Sequence, residues 1–152
     1  SQLVKNIENA CKRIRKQDLV SDKVKIFLKS QQFKKYKKEV NLTLPSAYPI
    51  DILSKIKSTF SKLFNSKYKY RSTGIVFRNL KKATPEQLGL LKSYKKQKNF
   101  NKIYSAVDEI EKKYGEETMF LASSMESRND KKEGFSVDKN KTLDIPMMGE
   151  VN

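Results

Sequence analysis

The sequence predicts an α+β fold, because segments with helical and with strand periodicity succeed one another along the chain. Apolar residues recur at helical spacing over residues 3–16 and 50–64. They alternate with polar residues over residues 23–30, 40–44 and 69–80, which is typical of half-buried strands. A basic turn separates the first two alternating segments, so we expect them to form a β-hairpin.

The two predicted helices have clear boundaries. The first places Leu3, Ile7 and Cys11 on one face and charged residues on the other. Pro45 ends the strand before the second helix, since proline cannot donate to a ladder, and Pro49 suits the first helical turn. Cys11 is the only cysteine, so no intrachain disulfide can form, and we expect it to be a small buried residue.

The strand predicted over residues 69–80 has two faces, because successive side chains of a strand point in opposite directions. If Arg78 faces solvent, its face also contains Ser72, Gly74 and Val76. The core then receives Thr73, Ile75 and Phe77. Gly74 has no side chain, so another group can approach the backbone closely there.

The rest of the chain is more polar. We interpret residues 81–99 as a Lys-rich linker, and residues 100–124 as a third helix, stopped by Gly115, followed by a short strand over 117–123. Residues 125–152 are expected to be a flexible tail because few of them are apolar. Residues 1–80 then form the main domain.

The charge balance favours a polyanionic partner. The chain carries 33 Lys and Arg against 17 Asp and Glu, a net charge of +16, and such a surface attracts phosphates. No apolar run approaches the roughly 20 residues of a membrane-spanning helix, so no membrane association is expected. The absence of His and the single cysteine exclude a zinc site of the usual kind. One cysteine also fits a cytoplasmic location.

Three segments carry a family resemblance: KIFLKSQQF (residues 25–33), LPS (44–46) and YRSTGIV (70–76). They resemble the C-terminal little-finger domain of Y-family translesion DNA polymerases, and the closest likeness is to the UmuC-like bacterial branch. A stretch similar to AVDEIEKKYG (106–115) follows the domain in that branch. The resemblance covers residues 3–124 and depends on the combination of these segments.

The resemblance implies a β-α-β-β-α-β fold, an antiparallel sheet backed by two helices. In the family, the open sheet face lies against the primer–template duplex. Duplex DNA is therefore the implied partner, and it would be bound without sequence preference. The implied role of the parent polymerase is lesion bypass in DNA repair. Some members carry a second basic residue where Ser72 stands, so that contact is expected to be weaker here. The implied DNA-contacting residues are Lys23, Lys25, Lys29, Arg71, Ser72, Thr73, Gly74 and Arg78.

Two departures from the family pattern matter. The catalytic carboxylates of the family lie in a palm domain that binds Mg²⁺, and the acidic residues between Asp108 and Glu117 do not match them. We therefore expect no catalytic residue, metal or cofactor in this chain. The family domain also opens with a strand that this chain lacks, and in the usual strand order that strand is central. We expect residues 117–123 to fill the gap, or two chains to exchange strands.

Residues 87–91, QLGLL, resemble the short motif with which bacterial polymerases bind the sliding clamp. Its contacts would be made by Gln87, Leu88, Leu90 and Leu91, where Gln hydrogen-bonds at the pocket rim and the leucines fill a groove. The family often has Phe at the last position. The alternative is a loop whose leucines cover the core.

Other functions remain open at this point. A standalone RNA-binding protein with a ferredoxin-like sheet would usually present paired aromatic residues for base stacking, and Phe27 is the one candidate on the basic face. Phe27 can also pack under a neighbouring element. A third possibility is an interaction domain whose basic surface meets an acidic protein. Competition between duplex DNA and single-stranded RNA separates the first two functions, and absence of nucleic-acid binding at low salt would favour the third.

Overall fold

The computed structural model describes residues 1–83 and 91–133, with the backbone alone for 91–98 and 130–133. Two helices and three strands make up the chain as far as residue 82, and the remaining described elements are helical. The elements in chain order are α1 (Gln2–Arg15), β1 (Leu19–Ser30), β2 (Lys35–Ser46), α2 (Pro49–Leu63), β3 (Tyr70–Lys82), α3 (Leu91–Tyr114), a single 3₁₀ turn (Ala122–Ser124) and α4 (Met125–Glu133).

The strands of the described residues form one antiparallel sheet in the order β2-β1-β3. β1 is central and pairs with both neighbours, so the predicted gap in the sheet is wrong. Because β1 occupies the centre of the sheet, no position is left vacant for the strand that we expected to be missing. The reason for predicting strand exchange between two chains is therefore removed. The hairpin is also longer than predicted, since β2 begins at Lys35, within the segment interpreted as a turn.

Both α1 and α2 pack on one face of the sheet, as the family resemblance implied. α1 lies against β3 and α2 against β2. The apolar core between them is fully enclosed, and the pKa of the buried Cys11 thiol is raised by that burial. None of the helices that the structure describes is long and apolar enough to cross a membrane. The buried core residues are Leu3, Ile7, Cys11, Val24, Ile26, Leu42, Ile52 and Ile56.

The C-terminal part differs most from the prediction. Residues 117–123 form no strand but a turn that leads into the 3₁₀ turn Ala122–Ser124. α3 begins at Leu91, within the predicted linker, and ends at Tyr114 before Gly115, whose φ of +100° is the left-handed conformation of a helix stop. The first part of the predicted tail is the helix α4.

Contacts with α1 explain why these polar segments are ordered. The Ser127 N–H donates to Ser1 Oγ at 2.8 Å, and the Leu121 N–H donates to Glu8 Oε1 at 2.6 Å. Composition alone predicted disorder because hydrogen bonds to residues more than a hundred positions away leave no local signal in the sequence.

Candidate nucleic-acid interface

The face of the sheet opposite the helices is basic. Residues paired across antiparallel strands point to the same side, so the register from Lys23 to Lys29 defines this face directly. Its residues on β2 and on β3 are exposed except Gly74, which is buried. We call it the basic face, and its rows are Asn41–Lys23–Arg78, Glu39–Lys25–Val76, Lys37–Phe27–Gly74 and Lys35–Lys29–Ser72.

Six of the eight residues predicted to contact DNA lie on the basic face. The predicted sharing of one face by Lys25, Lys29 and Arg78 is therefore confirmed, and so is the predicted division of β3 into two faces. DNA contact by these side chains stays a prediction. The six residues are Lys23, Lys25, Lys29, Ser72, Gly74 and Arg78.

The ring of Phe27 leaves no room for a side chain at position 74, so this position requires glycine. A Cβ built at Gly74 would lie 2.5 Å from Cζ of Phe27 and 2.6 Å from its Cε1, so the ring lies across the glycine. Phe27 is therefore not free as a stacking platform. Lys35 covers its ring, with Nζ 4.7 Å from the centroid. The close approach that the glycine predicted is made by Phe27, which fixes a flat patch in the middle of the basic face.

The other two predicted residues are placed differently. Thr73 lies on the core side of β3, where its Oγ1 donates to the Phe27 carbonyl at 3.1 Å and its own carbonyl accepts from Asn6 Nδ2 at 2.8 Å. Arg71 falls at the register shift beyond Lys29. Its guanidinium carbon lies 4.5 Å from the ring centroid of Phe33, in the β1–β2 turn. Arg71 thus extends the basic surface toward the hairpin tip, whereas the Thr73 side chain does not reach it.

Three charged residues of the basic face were not among the predicted site residues. Lys35 and Lys37 add two cations, and Glu39 adds a carboxylate that lies 3.5 Å from Lys23 Nζ and 3.7 Å from Arg78 Nε. The signal was available, because Val40 and Leu42 point to the core and residues at odd positions of β2 must then point away. The face carries six cations and one carboxylate.

Three cations of α1 are paired with acidic residues of the C-terminal segment. A stripe of four charged residues along α1, which we call the α1 charge stripe, is paired throughout with residues 108–128. The pairs are Lys5–Glu117 at 3.1 Å, Glu8–Arg128 at 3.1 Å, Lys12–Glu111 at 2.7 Å and Arg15–Asp108 at 2.8 Å. The excess positive charge is therefore concentrated away from α1, and the basic face is one place where it is presented.

Several expected features fall outside this geometry. Gln87, Leu88 and Leu90 of the clamp-like motif lie outside the described residues, and only the backbone of Leu91, the first residue of α3, is described. Among the described residues, no three His, Cys, Asp or Glu side chains converge as they would around a metal ion.

The order of elements and the helices behind the sheet define a two-layer α+β domain whose open sheet face is basic. In the comparisons with known proteins, the family model described as the impB/mucB/samB family C-terminal domain matches residues 1–90. The chain belongs to this family, the little-finger domain of UmuC-like Y-family DNA polymerases. The match covers the sheet, α1 and α2, and stops before α3. No curated protein and no solved structure matches the chain significantly.

Proposed function

We propose that the basic face binds duplex DNA without sequence preference and holds a translesion polymerase on its primer–template. The single observation that supports this most is the alignment of six cations in four rows on one open sheet face. Lys and Arg side chains that contact phosphates position a protein on DNA and carry no sequence information. A polymerase that copies damaged templates needs this indifference.

The dimensions suit a DNA backbone. Lys23 and Lys29 are six residues apart on β1, about 20 Å at 3.3 Å per residue. Measured along the axis of a DNA duplex, this length corresponds to about six phosphates of one strand, at about 3.4 Å of axis for each phosphate. Each neutralised phosphate releases counterions, so the affinity should fall with salt by a log–log slope of about −0.9 per phosphate.

The test removes two cations from the middle and one end of the face. We expect the double variant Lys25→Gln/Arg78→Gln to bind duplex DNA more weakly, with a salt slope shallower by about 1.8, twice the value for one phosphate. The loss should be equal on duplexes of unrelated sequence. Fluorescence anisotropy over a salt series measures both. The control Lys55→Gln/Lys57→Gln removes the same charge from exposed positions of α2, on the other side of the sheet.

Removal of the negative charge of Glu39 is the opposite change on the same face, and the same experiment can measure it. It repels phosphates and holds Lys23 and Arg78 in exposed ion pairs, each worth at most about 1 kcal/mol. Glu39→Gln should therefore raise the duplex affinity a few-fold. A salt slope equally changed by the control pair, or a loss confined to one sequence, would contradict the proposal.

Further properties of the family belong to the proposal only as expectations. Docking to a sliding clamp is supported by residues 87–91 alone, and catalysis with Mg²⁺ is expected in the palm of the parent polymerase. RNA binding through paired aromatic residues has less support, because the basic face of the described strands carries Phe27 as its one aromatic ring, and Lys35 covers it.

A further inference from the structure

A chain of five aromatic rings runs along the end of the sheet, next to the β1–β2 turn. The consecutive centroid distances are 5.8 Å for Phe60–Phe64, 5.4 Å for Phe64–Tyr70, 6.3 Å for Tyr70–Tyr36 and 6.0 Å for Tyr36–Tyr68. We call these five residues the aromatic chain. Phe60 packs against the core, and the aromatic chain extends from there away from the core. Phe64 is 47% exposed and Tyr68 is 43% exposed.

If the aromatic chain served only to close the end of the core, its outer rings would be buried. Tyr36 lies nearly parallel to Tyr68, with 23° between the ring planes, and Tyr68 nevertheless stays 43% exposed. Large aromatic surface held in water has a cost of about 25 cal/mol per Å² relative to burial. The outer end of the aromatic chain is thus an accessible stacking surface.

The loop between α2 and β3 holds these rings in place. Asn65 makes three hydrogen bonds within it: its N–H donates to the Tyr70 hydroxyl at 3.0 Å, its Oδ1 accepts from the Lys67 N–H at 3.0 Å, and its carbonyl accepts from the Tyr68 N–H at 3.1 Å. The Gln31 N–H ties the loop to the β1–β2 turn through the Lys69 carbonyl at 2.9 Å. The outer rings are therefore positioned before any ligand arrives.

The charge around the aromatic chain has one sign. Residues 34–38 read KKYKK, and residues 60–71 read FSKLFNSKYKYR, so the two segments that supply all five rings contain Lys and Arg but no Asp or Glu. Lys38 shares the strand face of Tyr36, and Lys67 and Lys69 flank Tyr68. Aromatic rings for stacking, surrounded by cations for the backbone, are the two components of a site for unpaired nucleotides.

We infer that the aromatic chain binds single-stranded DNA, with an unpaired base stacked on Tyr68 and the backbone held by Lys38, Lys67 and Lys69. The choice of DNA rests on the proposed function, but the stacking site does not use the basic face. The two surfaces meet at the end of the sheet, since Ser30 pairs with Tyr70 directly after the last row of the basic face, Lys35–Lys29–Ser72. A strand leaving a duplex on the basic face would reach the aromatic chain there.

The test measures binding of an oligothymidylate to the whole chain by anisotropy and by quenching of tyrosine fluorescence, which is readable because the chain has no Trp. Tyr68→Ala should weaken binding by about 5- to 150-fold, the range for loss of one base–aromatic stack. Tyr68→Phe keeps the ring and should bind like the unsubstituted chain. The matched control is Tyr114→Ala, which removes another exposed tyrosine beside a lysine, 65% exposed, at the end of α3.

The outcomes separate this inference from the proposed function. Tyr68→Ala should leave duplex affinity unchanged, whereas Lys25→Gln/Arg78→Gln should weaken duplex binding and leave the stacking quench in place. Equal single-strand affinity of Tyr68→Ala and Tyr68→Phe would overturn the inference, even if duplex binding behaves as proposed. Tighter binding of an oligoribonucleotide of the same length would overturn the assignment to DNA. Phe64→Ala gives a second reading, since it removes another exposed ring of the aromatic chain, at the end of α2.

Discussion

The core formed by α1, α2 and the sheet is joined by apolar side chains, whereas the segment from α3 to α4 is joined to the same helix α1 by charged and aromatic groups. Ile7 and Ile52 of the core are fully buried. On the other side of α1, Arg15 donates two hydrogen bonds to Asp108, at 3.1 and 2.8 Å, and lies 4.7 Å from the Tyr104 ring centroid. The core should therefore resist salt and acid, and the C-terminal segment should respond to both.

The largest expected effect comes from the apolar region. Ile52→Ala empties a fully buried position and should lower the free energy of unfolding by about 2–5 kcal/mol, because the lost contacts leave a cavity. Ile103→Ala makes the same change on α3, where the side chain is 53% exposed, and should cost no more than about 0.5 kcal/mol. Urea unfolding measures both.

The contrast between these two isoleucines decides whether the comparison holds. Similar losses at both positions would mean that α3 is buried in solution by packing that the structure does not contain, and the apolar and charged regions would then not differ in kind. A loss at Ile52 that persists unchanged in high salt would support the distinction.

The same difference explains how much of the fold could be predicted. Apolar residues of the core recur with the period of their own helix or strand, so α1, α2 and the three strands were found from local pattern. The α1 charge stripe is also periodic, but a row of charges is usually a solvated surface. Nothing near Arg15 in the sequence indicates Asp108 as its partner. α3 was therefore misjudged in extent, the segment that forms α4 was predicted to be a flexible tail, and the strand over residues 117–123 was wrong.

The candidate site follows the same rule. The parity of β1 and β3 placed six of its residues correctly, because a strand fixes which side chains share a face. Lys35 and Lys37 were missed because the predicted β2 began too late. The aromatic chain could not be predicted, since three separate elements bring its rings together.

An intermediate effect is expected at the pair that joins α3 to α1. A double-mutant cycle with Arg15→Ala and Asp108→Ala should give a coupling free energy of about 0.5–3 kcal/mol, the usual range for groups in direct contact. The cycle is needed because Arg15 also donates to the Ala47 carbonyl at 3.2 Å and contacts Tyr104. Hydrogen exchange of the α3 amides locates the effect.

Salt sharpens this prediction. The coupling should shrink at about 1 M salt, where the Debye length is about 3 Å, while the loss caused by Ile52→Ala should not. A coupling that is absent at low salt would show that Asp108 is not what holds Arg15, and the C-terminal segment would then depend on the ring contacts of Tyr48 with Phe100 and Tyr104.

The smallest expected effect is a pH dependence at the exposed end of the same surface. A hydrogen bond from Lys12, at 3.3 Å, and the charges of Lys12 and Lys16 lower the pKa of the Glu116 carboxyl below its ordinary value of 4.5. A carboxyl whose pKa is lower in the folded state stabilises the fold above its unfolded pKa, and this contribution is lost as the pH falls through the folded pKa. Acid should therefore loosen the C-terminal segment before it affects the core.

Glu116→Gln tests this sign directly. The variant should lose less stability than the unsubstituted chain as the pH falls from neutral to below 4.5, because it has no proton to take up at this position. Glu109→Gln, on the exposed side of α3, is the control and should keep the full acid dependence. Carboxyl chemical shifts followed by NMR give the Glu116 pKa itself. A pKa that is not below 4.5 would mean that the ionised Glu116 does not stabilise the attachment of the segment, and that Lys12 is held there by Glu111, at 2.7 Å.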